Sequence, residues 1–408
     1  MKKSIFALVA SLLSFAMIHP ASAQKKYGPG VTDTEIKLGQ TFPYSGPASA
    51  LSTTAKVELA YLTMINARGG VNGRKINLIS LDDGFSPPKT VEQTRNLVES
   101  QGVLAIWSTM GSGPNLAIAK YLNNAKVPQI MVMAGSPKIY DPVNLPWTTT
   151  FYTSFALEGN ILATYIRMNK PDAKVAILYQ NDETGKAILG GAKSGFGDKI
   201  GKMLIKEVPF DLSYPTIDSQ ILQVQAAGAD VVFFATSASK FAAQGIRRIG
   251  EIGDSWKPTM ILPTAVAQKE AVLKQAGLQH SVGVITQLFN KPVDDPNWEK
   301  DPAVVDFLAF MKEWAPNEPA NEASAELGYI AAQFLVELLQ RCGDDLTRDN
   351  LIYQATHVSD YQIPLFFPGL KINITPDDRI AWRQAQIARF DGEKWVSIGG
   401  LASASNTE

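Results

Sequence analysis

Cysteine and histidine are scarce in this chain, and neither occurs in a spacing that binds metal. The 408 residues include one cysteine, Cys342, and three histidines. A single cysteine excludes an internal disulfide, and its position in the helix-like stretch 329–342 predicts a packed thiol. The phosphate-loop, zinc-helix and nucleophile-elbow motifs are also missing. The sequence therefore predicts no metal, no cofactor and no enzyme of these kinds.

Charge of one sign and long apolar runs are equally scarce. The net charge is -1 and no basic block stands out, so nucleic acid is not an expected partner. One extended apolar run, 5–18, lies between Lys2-Lys3 and Ala21-Ser22-Ala23. It is shorter than the ~20 residues that span a membrane, and its flanks are typical of a secretory leader. We expect export, with cleavage after Ala23 leaving a soluble protein.

Short apolar runs alternate with helix-length segments after the leader. The predicted strands are 35–42, 75–83, 103–107, 128–133, 174–179, 203–210, 229–235, 258–262 and 282–289. Several are continuously apolar, which is typical of parallel strands covered by helices on both faces. The intervening segments begin at hydroxyl or proline residues and end at glycines, as helices do. This succession predicts an α/β protein with doubly wound parallel sheets.

Two sets of strand–helix units indicate two lobes with a cleft between them. We assign 1–23 to the leader, 31–149 plus 286–360 to the first lobe, 150–285 plus 361–401 to the second, and 402–408 to a tail. The last strand pattern, 386–399, turns at Asp391-Gly392.

Small, hydroxyl-rich loops follow several of the predicted strands. In open α/β sheets, ligands bind at this carboxyl edge. Ser112 and Gly113 follow the strand 103–107 and precede a helix that begins near Pro114. Free N–H groups at a helix start suit a carboxylate, although an ordinary helix start is the alternative interpretation. Similar loops and neighbouring aromatic residues include Tyr44, Ser45, Ala134, Gly135, Ser136, Tyr152, Thr236 and Ser237.

The motifs taken together resemble a known family. They include "GVTDTEIKLGQTFPYSGPASA", "INARGGVNGRKINLISLDDGFSPPKTVEQTRNLVE", "ILYQNDETGK" and "FAAQGIRRIGEIG". The chain is similar to the periplasmic solute-binding proteins of branched-chain amino acid-type ABC transporters, of the leucine-binding-protein type. The resemblance implies a type I periplasmic binding protein fold, with two lobes joined by three crossovers that close on a small solute. It implies no catalysis.

The resemblance also implies positions for the ligand. Leucine-type members hold the ligand carboxylate with a serine at a helix start and with an Ala-x-Thr/Ser turn. The matching positions are Ser112, or Gly113 if the alignment slips by one residue, together with Ala134 and Ser136.

Four positions depart from the leucine type. The glutamate and tyrosine that hold the α-ammonium are replaced by Thr264 and Ser237, and two frequent aromatic positions are Leu51 and Thr184. An ammonium at Thr264 would lack a buried carboxylate partner, and an unpaired buried charge is costly. Asp182 or Glu183 are alternative partners, although they also suit a helix cap.

We therefore expect a solute with a carboxylate or amide head and an uncharged body, such as an aromatic or short aliphatic acid. The alternative solute is a branched-chain amino acid whose ammonium group is held by other residues. The implied partners are the permease and ATPase subunits of an importer in the inner membrane, with the protein a periplasmic monomer. A ligand-presenting sensor is a second function, and a hydrolase that uses the cleft hydroxyls is a third, for which no motif places a base.

Overall fold

The computed structural model describes residues 25–46 and 48–405. The predicted leader, 1–23, and the end of the predicted tail lie outside these residues. The strands are β1 (Lys26–Tyr27), β2 (Glu35–Phe42), β3 (Lys75–Asp82), β4 (Ile106–Trp107), β5 (Gln129–Val132), β6 (Thr148–Thr150), β7 (Val175–Gln180), β8 (Leu204–Phe210), β9 (Val231–Ala235), β10 (Thr259–Ile261), β11 (Ile285–Leu288), β12 (Asp345–Leu346), β13 (Val358–Tyr361), β14 (Ile372–Ile374), β15 (Gln384–Phe390) and β16 (Trp395–Ser403). Each of the strands predicted from the sequence is present.

The helices fill the intervals between the strands, and several of them end directly before a glycine. They are α1 (Ser52–Ala67), α2 (Pro87–Arg95), α3 (Ser112–Asn124), α4 (Phe155–Asn169), α5 (Glu183–Phe196), α6 (Ile200–Met203), α7 (Asp218–Ala226), α8 (Ser239–Ile252), α9 (Lys274–Ala276), α10 (Leu278–Ser281), α11 (Pro302–Trp314), α12 (Ala323–Cys342) and α13 (Arg348–Thr356). In the described ranges, no helix combines the length and hydropathy needed to cross a bilayer.

Two parallel sheets form the centres of the two lobes. The first sheet has the order β3-β2-β4-β5-β6, and its strands are all parallel. The second has the order β8-β7-β9-β10-β11, extended by β15 and β16. The two added strands pair antiparallel, so the second sheet is mixed at this edge. The predicted doubly wound α/β fold is confirmed.

The chain crosses between the lobes three times. It leaves the first sheet after β6, leaves the second after β11, and returns to it before β15. The sequence prediction began the second segment of the first lobe at 286, whereas β11 pairs with β10 in the second sheet. It also assigned 361–383 to the second lobe, whereas Phe366 and Trp382 pack in the first-lobe core. We therefore place these boundaries near 289 and 384.

Burial in the first-lobe core also accounts for the cysteine. Cys342 is the last residue of α12 and lies in this core. Burial raises the pKa of the Cys342 thiol to about 12, which makes it unreactive near neutral pH. The predicted packed thiol is confirmed.

Helices α4 and α5 pack in close contact. Gly191 of α5 is buried, and a Cβ there would overlap the carbonyl oxygen of Ala156 on α4. The preceding residue, Gly190, is exposed, and nothing lies near the position of its missing Cβ. The contact of the two helices therefore depends on one glycine and not on its neighbour.

We expect Gly191→Ala to lower the free energy of unfolding by about 1–3 kcal/mol, because the new methyl group forces α4 and α5 apart. The matched control, Gly190→Ala, should be neutral or stabilise by up to about 1 kcal/mol, since alanine favours a helix. Chemical denaturation of both variants measures the difference. Equal effects would contradict the close helix contact.

Candidate functional site

The predicted ligand residues follow strands at the carboxyl edges of the two sheets. In each lobe the strand order reverses beside the first strand, between β2 and β4 and between β7 and β9. Ligands of doubly wound sheets bind outside such reversal points. The loops that follow these strands hold most of the predicted site residues, including Ser112 in the first lobe and Ser237 in the second.

Ser112 is the first residue of α3, and its side chain is buried. The residue is only 8% exposed, and its Oγ forms no hydrogen bond with the described residues. Gly111 precedes the helix with φ 96°, and no side chain caps the first turn. The helix start therefore offers free N–H groups and a buried hydroxyl at one place, which is the chemistry that binds an anion. Gly113, next in the chain, is exposed.

The turn Ala134–Gly135–Ser136 lies alongside this helix start. Met110 and Met133 form a parallel bridge, and the amide of Gly111 donates to the carbonyl oxygen of Met133 at 3.0 Å. The two loops, separate in sequence, are therefore neighbours in the structure, as the predicted carboxylate pocket requires.

Gly135 allows the turn to approach the second lobe. Its carbonyl oxygen accepts from the amide of Phe155, the first residue of α4, at 2.8 Å. A Cβ at position 135 would stand 2.7 Å from the Phe155 ring. The Tyr152 ring lies against this same ring, with centroids 5.9 Å apart. The small turn after β5 therefore permits a close backbone contact where the chain crosses to the second lobe.

Tyr44, Ser45 and Leu51 follow β2, the strand that pairs with β4 in the first sheet. The Tyr44 hydroxyl bonds Ser80 at 2.6 Å, and burial raises the pKa of Tyr44 to about 12. The Ser45 hydroxyl is exposed and donates to Asp82 at 2.6 Å, so it stabilises its own loop. Leu51 is half-buried against the first-lobe core.

The second-lobe loop is largely satisfied by its own hydrogen bonds. Thr236 is buried and donates to Gln180 at 2.8 Å, whereas the Ser237 side chain is exposed. Thr184 is buried in the first turn of α5. The Asp182 carboxylate accepts from the amide of Gly185 at 3.1 Å, so it caps α5, as one interpretation of the sequence predicted.

Glu183 joins the two lobes instead of capping its helix. Its carboxylate pairs with Lys138 at 2.7 Å and accepts from the Ser136 hydroxyl at 3.4 Å. At the other side of the cleft, the amide of Glu270 donates to Glu322 at 2.9 Å. Contacts on both sides define a closed arrangement of the lobes.

The structure corrects the expectation that no buried carboxylate lies near Thr264. Glu158, in the first turn of α4, is fully buried, and its Oε1 accepts from the Thr264 amide at 2.6 Å. Burial raises the pKa of Glu158. The sequence prediction considered only residues after the matching strand. A signal was present, since Phe155, Glu158 and Leu162 follow the i, i+3, i+7 pattern of one buried helix face.

A second residue that the sequence prediction missed is Phe85. Its side chain is 38% exposed, it has φ 61°, and its ring lies where a Cβ of Gly111 would stand. Positive φ is rare for a bulky residue and is found at functional sites. Phe85 therefore places an aromatic ring beside the start of α3.

A buried carboxyl group connects the loop of Tyr44 with the loop that leads to Ser112 through hydrogen bonds. Glu58 of α1 is fully buried and accepts from Gln40 at 2.5 Å and from Ser108. Gln40 in turn accepts from Ser80, the partner of Tyr44, at 2.8 Å. One hydrogen-bond chain therefore connects the loop of Tyr44 with the loop that leads to Ser112.

Comparison with known proteins agrees with this architecture. Residues 35–394 match a family model described as periplasmic binding protein, so the chain belongs to the periplasmic binding protein family. Leu/Ile/Val-binding protein homolog 7 of Brucella suis is 28% identical over 299 residues, which cover 68% of this chain and 69% of the relative. The resemblance seen in the motifs, and the prediction of a solute-binding protein rather than an enzyme, are confirmed.

Two solved structures show the fold. A branched-chain amino acid ABC transporter protein of Thermus thermophilus with bound valine has a TM-score of 0.80 and 17% identity, covering 92% of this chain and 98% of the other. A solute-binding protein of R. palustris in complex with benzoate has a TM-score of 0.73 and 21% identity, with the same coverage. Both support the type I periplasmic binding protein fold.

The Glu58 carboxyl group makes stability depend on pH. Burial raises its pKa from 4.5 to about 8, so between these values the folded protein keeps a proton that the unfolded chain releases. The contribution of Glu58 to the free energy of unfolding is therefore greatest below pH 4.5 and falls by a few kcal/mol as the pH rises to about 8.

We expect Glu58→Gln to remove this part of the pH dependence, because the amide has no proton to lose. Chemical denaturation of both proteins at about pH 5, 6.5 and 8.5 gives the difference between them. That difference should change steadily over this range in favour of the variant. A difference independent of pH would contradict a protonated Glu58.

Proposed function

We propose that this protein is the substrate-binding component of an ABC importer, which captures a small solute in the interlobe cleft. The solute binds by a carboxylate or amide head at the start of α3. The observation that carries this proposal is the buried, unpaired hydroxyl of Ser112 beside the turn Ala134–Gly135–Ser136. A buried polar group without a partner costs about 1–3 kcal/mol, and a bound carboxylate would remove that cost.

The walls of the cleft favour a solute with an uncharged body. Four aromatic side chains lie in or beside the loops that follow the strands: Tyr44, Phe85, Tyr152 and Phe155. Rings of this kind stack on aromatic groups and cover aliphatic ones. The fold neighbour with bound benzoate supports an aromatic acid as the class of solute.

A branched-chain amino acid is the alternative solute. The relative named for leucine, isoleucine and valine and the fold neighbour with bound valine support it. Glu158 beside Thr264 also supports it, since this carboxyl group lies where the leucine-type site requires a partner for the ammonium. Thr184, Ser237 and Gly113 are then peripheral residues of the pocket.

The proposed partners follow from the importer role. The protein acts as a monomer in the periplasm, and the closed lobes dock on permease subunits that an ATPase drives. Closure brings Glu183 of the second lobe to Lys138 and Ser136 of the first. The same closure would suit a sensor component that presents its ligand to a receptor, and this is the second candidate function.

We expect Ser112→Ala to weaken solute binding roughly 10- to 150-fold, the range for losing one hydrogen bond to a charged group. The protein is first unfolded, washed and refolded to remove bound solute. Thermal shifts are then recorded with benzoate, 4-methylpentanoate, leucine and valine. Saturating ligand should raise the melting temperature by on the order of 10 °C.

The matched control is Ser219→Ala, the same change near the start of α7, where the side chain is exposed. It should bind like the wild type. If none of the four probes binds, or if Ser112→Ala binds them unchanged, the carboxylate pocket at α3 is wrong.

A further inference from the structure

A carboxyl group of the first lobe caps the start of a helical segment in the second lobe. This segment, Lys269–Leu273, continues directly into α9, and the preceding Gln268 gives it no side-chain cap. The first N–H groups of a helix have no partner within the helix. One of them, the amide of Glu270, donates to Oε1 of Glu322 at 2.9 Å. Glu322 therefore supplies a cap that the helical segment does not have from its own residues.

The two partners of this hydrogen bond belong to different lobes. Val272 and Leu273, in the capped segment, pack in the second-lobe core. Glu322 directly precedes α12, and residues of α12 such as Ala325 pack in the first-lobe core. The side chain of Glu322 makes no capping hydrogen bond to α12, so it is available to the other lobe. A motion that separates the two cores would break the bond to Glu270.

The charges around this contact are complementary across the lobes. Lys269 of the second lobe pairs with Asp294 at 3.5 Å, and Asp294 lies on the segment that leaves β11 for the first lobe. Burial raises the pKa of Glu322, whereas the Glu270 amide and the ammonium groups of Lys274 and Lys269 favour its ionised form. The positive end of the helical segment and its lysines thus face acidic groups of the first lobe.

We propose that Glu322 is a latch that stabilises the closed lobes, and that it strengthens solute binding without touching the solute. The latch and a bound solute favour the same arrangement of the lobes, so each raises the population in which the other forms. Glu322 is a positioning residue, and the pair of Lys269 with Asp294 assists it. This inference rests on the proposed function, because closure on a solute is what gives the latch its role.

The main test is Glu322→Met, which keeps the approximate size of the side chain and removes both acceptor oxygens. Isothermal titration calorimetry on the stripped, refolded protein uses benzoate, 4-methylpentanoate, leucine and valine as probes. We expect every probe that binds the wild type to bind the variant about tenfold or more weakly, the loss for one hydrogen bond to a charged group. The factor should be the same for each probe to within about twofold, because Glu322 contacts none of them.

The matched control is Glu318→Met, the same change four residues earlier in the chain. Glu318 accepts from Thr53 at 3.1 Å and pairs with Lys56 at 3.3 Å, and both partners lie on α1 of the same lobe. This variant should bind the probes like the wild type. Lys269→Met removes the assisting ion pair and should weaken binding by up to about fivefold, with a smaller effect at high salt.

Hydrogen exchange measures the latch directly, with and without a probe. In Glu322→Met the amides of 268–273 should exchange faster than in the wild type and in Glu318→Met, because the Glu270 amide has lost its acceptor. Melting temperatures verify that each variant is folded.

Three results would overturn the inference. Unchanged affinity in Glu322→Met, even with faster exchange, would show that the contact is only structural. Losses that differ widely between probes would show that Glu322 contacts the solute. Unchanged exchange would show that the bond to Glu270 does not form. Each of these leaves the importer proposal intact. If no probe binds the wild type, the proposed function fails and this inference fails with it.

Discussion

The hydrogen bond between the Phe155 amide and the Gly135 carbonyl oxygen is the contact on which the cleft depends. It joins a strand-end turn of the first lobe to the first residue of α4, which belongs to the second lobe. The Phe155 ring fills the space where any side chain at position 135 would stand. The start of α4 is therefore fixed against the turn, and Glu158 follows from it at a set distance. One backbone contact thus fixes how the start of α4 lies against the first lobe.

The elements of the fold were predictable because their signals are local. Continuous apolar runs mark covered strands, and hydroxyl and glycine residues mark helix ends, whatever the rest of the chain does. The segment 361–383 was assigned to the wrong lobe because its apolar residues carry no such mark. Phe366 and Trp382 can cover either core, and the choice depends on ring contacts with Phe289 and Phe151, far away in the sequence.

The sequence predicted which loops of the candidate site are neighbours only where the geometry of the sheet determines it. Carboxyl ends of parallel strands meet at one edge, so Ser112 and the turn at Gly135 were placed together correctly. The partners of individual side chains depend on how the strands pair. The Ser45 hydroxyl donates to Asp82 because the register of β2 and β3 places Phe42 opposite Asp82. Glu158 was missed because it reaches Thr264 from a helix rather than from the strand.

The two lobes share one strand order but differ in what they leave free. Both sheets reverse beside their first strand, at β2 and at β7, which gives each lobe the same kind of loop edge. In the second lobe, Gln180, Asp182 and Thr236 bond one another or the nearby backbone. In the first lobe, the Ser112 hydroxyl at a helix start has no hydrogen-bond partner among residues 25–46 and 48–405. In the proposed site, the solute gains its first contact from Ser112 of the first lobe, and the second lobe adds the interlobe contact of Glu183 with Lys138.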